Sequence, residues 1–167
     1  MTVISDSSPL IALSRTGRLD LLRELYGDVT VPQGVIREVT GNGAGQPGAE
    51  EVSTAKWIMA VEVRDQQLVS SLRRDLGDGE SEAIALAVEL KADLLIVDDL
   101  LARQVAAILG LSVVGTVGVL LEARLRGVLP EIKPCLDDLI DLAGFRISEE
   151  LYARVLRETG EHGAHRS

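Results

Sequence analysis

The run Asp93-Leu94-Leu95-Ile96-Val97 limits the fold of this chain more than any other segment. Its aliphatic core does not alternate with polar residues, so a strand here must be covered on both faces. The pattern before it, "DGESEAIALAVELKA", is helical, and so is the pattern after it, "DDLLARQVAAILG". Other short apolar runs, "TVIS", "DVTV", "WIMAVEV" and "LSVVG", also take turns with amphipathic segments. Strands alternating with helices predict an α/β fold: a three-layer α/β/α sandwich around a central, mainly parallel sheet. In such a sheet ligands bind beyond the carboxyl ends of the strands.

Local signals place the element ends. Ser8 followed by Pro9 predicts a helix start, with Ser8 as cap and Pro9 in the first turn. Asp78 is expected to cap the helix that begins "DGESEA", and "GVIREV" is expected to be helical as far as Gly41. The segment "GNGAGQPG" follows a helix and lacks the Lys-Ser/Thr of a phosphate loop, so it is expected to be a surface loop. No linker or repeat interrupts the chain. One domain over residues 1–160 is expected, with a disordered polar tail over 161–167.

Composition removes several chemistries. The single cysteine, Cys135, permits no internal disulfide and suits a reducing cytoplasm. The only histidines, His162 and His165, lie in the polar tail, so no Ser-His-Asp or Cys-His arrangement has a credible base. No apolar run is long enough to span a membrane, and the N-terminus does not read as a secretory signal. A net charge of −9 argues against a broad nucleic-acid surface but leaves room for a local cluster of arginines.

Carboxylates remain. Asp6 follows the first strand, and Asp98 and Asp99 follow "DLLIV". Parallel strands put these acids on one edge of the sheet. Glu38 in "GVIREV" and Glu82 in "GESEAIALA" can approach that edge from helices, and Glu80 rivals Glu82. Each acid also has an ordinary explanation, as a helix cap, a first-turn residue or a solvated side chain. Together they would repel one another unless a cation sat among them. Mg²⁺ and Mn²⁺ favour such oxygen ligands. The chemistry that suits the cluster is metal-assisted phosphodiester hydrolysis, which needs no histidine.

The segments "VISDSSPLIAL", "VPQGVIREV", "GDGESEAIALAVELKADLLIVDDLLAR" and "VVGTVGVLLEARLRG" resemble a bacterial and archaeal branch of the PIN-domain proteins. That branch includes relatives of the VapC-type toxins of toxin–antitoxin pairs, and "GFRISEELYARVL" is similar to its tail. The resemblance implies a Mg²⁺- or Mn²⁺-dependent endoribonuclease, the toxin of a type II pair, with RNA as substrate, a small antitoxin as partner and a homodimeric assembly. It matches the family's acids to Asp6, Glu38, Glu82 and Asp98, with Asp6, Glu82, Asp98 and Asp99 as metal ligands. Ser7, Arg103 and Thr116 would support them: Ser7 by a hydroxyl hydrogen bond, Arg103 by pairing with Asp99 or a phosphate, Thr116 by lining the edge or capping its helix. The chain departs from the family pattern in two places. The third acid is Glu where Asp is frequent, and Asp98-Asp99 replaces a Ser/Thr-x-Asp, which leaves the register of that pair open. Alternatives are a non-catalytic interaction protein on the same fold, or another metal-dependent phosphohydrolase. The apolar C-terminal helices would serve a partner, or pack on their own domain.

Overall fold

The computed structural model describes residues 1–42 and 48–161. Most of the glycine-rich loop, together with His162 and His165, therefore lies outside the described residues.

Five strands form one sheet: β1 (Val3–Ser5), β2 (Val29–Pro32), β3 (Ile58–Val61), β4 (Leu94–Ile96) and β5 (Val113–Val114), in the order β3-β2-β1-β4-β5. Every pairing is parallel, and Ser5 lies beside Ile96. Helices cover both faces, as the alternating sequence predicts. Strand residues divide between the two layers: Val3, Val29, Val31 and Ile96 join one core, while Ile4, Leu95 and Val97 join the other.

The first layer holds α1 (Ser7–Arg15), α2 (Asp20–Tyr26), α8 (Thr116–Leu125), α9 (Lys133–Asp141) and α10 (Glu149–Glu158). The second is built from α5 (Gln66–Leu72), α6 (Asp78–Leu90) and α7 (Leu100–Ile108). Between β2 and β3 come α3 (Gln33–Arg37), a wider π-helical turn at Glu38–Asn42, and α4 (Ala49–Thr54). The apolar faces of α9 and α10 are spent inside this core: Cys135, Leu136, Leu139, Tyr152, Val155 and Leu156 are all buried. Among the described residues no helix is long and apolar enough to cross a membrane.

Three expected element ends shift. α1 begins at Ser7, so Asp6 takes the N-cap position and Ser8 does not, although no side chain caps that helix. α6 has Gly77 at its N-cap position. Asp78 sits in the first turn, where Arg73 Nε pairs with its Oδ1 at 2.9 Å. Glu161, expected in the tail, is tied down: its carboxylate accepts from the N–H groups of Ile132 and Lys133 and from Arg124 Nε at 3.0 Å. Those hydrogen bonds cap the start of α9.

Candidate functional site

The sheet order reverses at β1 and β4. The chain moves outward from β1 on one side through β2 and β3, and on the other through β4 and β5. This switch point is where an open parallel sheet leaves a crevice at its carboxyl edge. Asp6 leaves β1 there, its N–H donating to Ile96 O at 3.0 Å, and Asp98 leaves β4 two residues beyond Ile96.

Asp6 is 2% exposed, and its Oδ1 has no hydrogen-bond partner. Unpaired burial of a carboxylate is unfavourable, and the side chain responds by holding its proton. Burial pushes its pKa from 3.8 to about 7. The Ser7 N–H works against this, and the charges of Glu80, Glu38 and Asp98 add to it. Glu38, at the start of the π-helical turn, is raised as well, first by the burial of part of its side chain and then by Glu80, Asp78 and Glu82. Asp6 and Glu38 converge over Gly79: a Cβ at that position would stand 2.9 Å from Asp6 Oδ1 and 3.2 Å from Glu38 Oε2. The absence of a side chain at Gly79 keeps this space open.

Asp98 is fixed differently. Thr116 donates to it twice, N–H to Oδ1 at 2.7 Å and hydroxyl to Oδ2 at 2.7 Å, and the Ser8 hydroxyl reaches Oδ2 at 3.1 Å. Thr116 is fully buried and its helix is N-capped at Gly115, so it supports the acid edge rather than serving as a cap. Asp99 is the cap: its Oδ2 accepts the N–H of Ala102 at 2.9 Å and starts α7.

The charge of Glu80 acts on both Asp6 and Glu38. Glu82 also acts on Glu38; its carboxylate rests against Gly34, and Arg73 Nη2 lies 3.6 Å from its Oε1. The structure thus brings together Asp6, Glu38, Glu80 and Asp98. Glu82 borders Glu38 and Glu80 in a neighbouring cavity, and Asp99 caps its helix. Ser7 touches the site through its N–H on Asp6 and an Oγ that faces Gly79. Arg103 is not paired with Asp99. Its Nη1 lies beside Gly115 and Asp98, and it lines the cleft in front of them.

The model of the DUF3368 family, described as a PIN domain, matches residues 2–161. The chain belongs to the PIN-domain family. A comparison with curated proteins finds no match. The PIN fold is a nuclease fold, and PIN domains typically use divalent metals. The donors gathered in this PIN domain suit a hard cation in kind: they are all oxygen, they repel one another, and the one on Asp6 is buried without a partner. As the side chains stand, however, no three His, Cys, Asp or Glu among the described residues are close enough to hold one ion.

Proposed function

We propose that this PIN domain is a metal-dependent endoribonuclease, the toxin of a type II toxin–antitoxin pair, working in the cytoplasm with a small antitoxin as partner and as a homodimer. The observation that carries the nuclease reading is the unpartnered Asp6 Oδ1, buried at the sheet's switch point and facing Glu38 across the gap left by Gly79. The toxin, antitoxin and dimer assignments rest on the likeness of the segments quoted above to the VapC-related branch.

Asp6, Glu80 and Glu38 are the residues that would hold Mg²⁺ or Mn²⁺. When bound there, such an ion supplies Lewis acidity, making a water nucleophilic near neutral pH and stabilising the leaving oxygen. The protein's own groups prepare the site. Burial raises the pKa of Asp6 to about 7, so a cation held there would bind the carboxylate in competition with its proton. Thr116 and Ser8 hold the Asp98 carboxylate at the edge, where its charge acts on Asp6. Glu82, paired with Arg73, serves as an outer acid.

The spacing of the acids favours one second reading, a non-catalytic interaction protein on the PIN fold. A cleavage assay separates the two. Purified protein incubated with RNA is expected to cut it with Mg²⁺ or Mn²⁺ and to stop on adding EDTA. No cleavage with either metal, together with no metal binding, would establish the second reading.

A further inference from the structure

A cavity of about 520 Å³ opens between α3, the end of α5 and the start of α6. Four carboxylates line it, those of Glu38, Asp78, Glu80 and Glu82, together with two guanidinium groups, Arg37 and Arg73. Arg37 is turned to Glu62 at 3.8 Å, with both side chains exposed. Arg73 is turned to the cavity's own acids. Its Nε lies 2.9 Å from Asp78 Oδ1 and its Nη2 lies 3.6 Å from Glu82 Oε1. One guanidinium fork therefore spans two carboxylates. Glu38 and Glu80, on the side nearer Asp6, are in no ion pair among the described residues.

We propose that Arg73 stands in for a second metal ion, so that each chain holds one divalent cation and not two. The inference rests on the nuclease reading and adds the number of ions and the residue that sets it. Two-metal hydrolysis places its ions about 3.5–4 Å apart, and each needs carboxylate oxygens. With Asp6, Glu38 and Glu80 given to one ion, the other acids are already taken. On one side, Asp78 and Glu82 face Arg73. On the other, Asp98 accepts hydrogen bonds from Thr116 and Ser8, and Asp99 caps α7. A guanidinium group is always charged, so it offsets the repulsion among the acids as a cation does. It has no open coordination position, so it cannot activate a water. It also repels any further cation brought close to it.

The test counts the Mn²⁺ ions bound by the full chain, using isothermal titration calorimetry and the electron paramagnetic resonance of the bound ion. Wild type is expected to bind one per chain. Arg73→Gln removes the charge and releases Asp78 and Glu82. It is expected to hold the first ion roughly threefold to tenfold more tightly. It is also expected to take up a second ion, seen as an exchange-coupled pair. Arg73→Lys keeps the charge and should bind one. Arg73→Gln combined with Glu82→Gln should return to one. All four proteins should fold alike by circular dichroism, because Arg73 and Asp78 are exposed. Two ions on wild type, a single ion on Arg73→Gln at any affinity, or no Mn²⁺ on wild type would each overturn the proposal. Two ions on a wild type that cuts RNA would leave the hydrolytic reading standing. The expected ion counts without RNA cleavage would uphold the role of Arg73 and remove the hydrolytic reading alone.

Discussion

Thr116 holds both oxygens of Asp98, one through its N–H and one through its hydroxyl, each at 2.7 Å. This double hydrogen bond joins the end of β4 to the start of α8 and assigns the two adjacent acids. Asp98 is taken up by Thr116 at the sheet edge, and Asp99 is left to cap α7.

Removing the hydroxyl alone tests that assignment. Thr116→Val keeps the shape and the N–H bond but leaves Asp98 Oδ2 with only Ser8. We expect a loss of about 1–2 kcal/mol in urea unfolding. Metal-dependent cleavage should fall roughly 10–100-fold, as for other groups that orient an acid. Thr116→Ser should restore both.

Gly79→Ala separates site geometry from stability. Alanine is the better helix former by up to about 1 kcal/mol, so propensity alone predicts a slightly more stable protein. The added methyl would sit 2.9 Å from Asp6 Oδ1 and crowd Glu38. A folded variant that no longer binds Mn²⁺, read by the electron paramagnetic resonance of free Mn²⁺, is the expected outcome.

The proton on Asp6 makes stability depend on pH in an unusual direction for an aspartate. Its pKa is raised from 3.8 to about 7 by folding. The stabilisation is therefore complete below pH 3.8 and is lost as pH rises through about 7. In EDTA, wild type should lose up to about 4 kcal/mol relative to Asp6→Asn between pH 4 and pH 8, the conversion of that shift at 1.36 kcal/mol per unit. Urea unfolding of both proteins across that range measures it. Added Mn²⁺ should reverse the loss in wild type only.

Glu80 and Glu82 should differ in kind. Glu80→Gln removes the charge nearest in effect to Asp6 and Glu38, so cleavage should fall at least about 100-fold with the fold intact. Glu82→Gln disturbs the pairing with half-exposed Arg73 at 3.6 Å, so stability should change by no more than about 1 kcal/mol and most of the cleavage should remain. Steady-state kinetics on the two variants distinguishes them.

The strands and the acids behind them are legible in the sequence because apolar runs such as Val3-Ile4 and Leu95-Ile96-Val97 can be satisfied only between two helical layers. That pattern locates Asp6 and Asp98 on one edge. It does not locate the partners that choose between neighbours. Thr116 lies 18 residues beyond Asp98, so only the folded chain shows that it takes Asp98 and not Asp99. Two residues apart on a helix, Glu80 and Glu82 point about 200° apart, yet both border the cavity beside Glu38, and of the two only the Glu80 charge acts on Asp6. Periodicity does not set that phase, because α6 is buried from Ala83 through Ala87 without a break. The start of α1 departs from expectation for a related reason: the Ser8 hydroxyl, which suits a cap, is engaged with Asp98 instead.

The most direct measurement is the rate of Mn²⁺-dependent RNA cleavage by wild type and by Asp6→Asn, which keeps the size of the side chain and removes its charge. Both proteins should be folded by circular dichroism. Wild type should cut RNA, and Asp6→Asn should show neither cleavage above background nor tight Mn²⁺ binding. A folded Asp6→Asn protein that cuts at the wild-type rate would contradict the account.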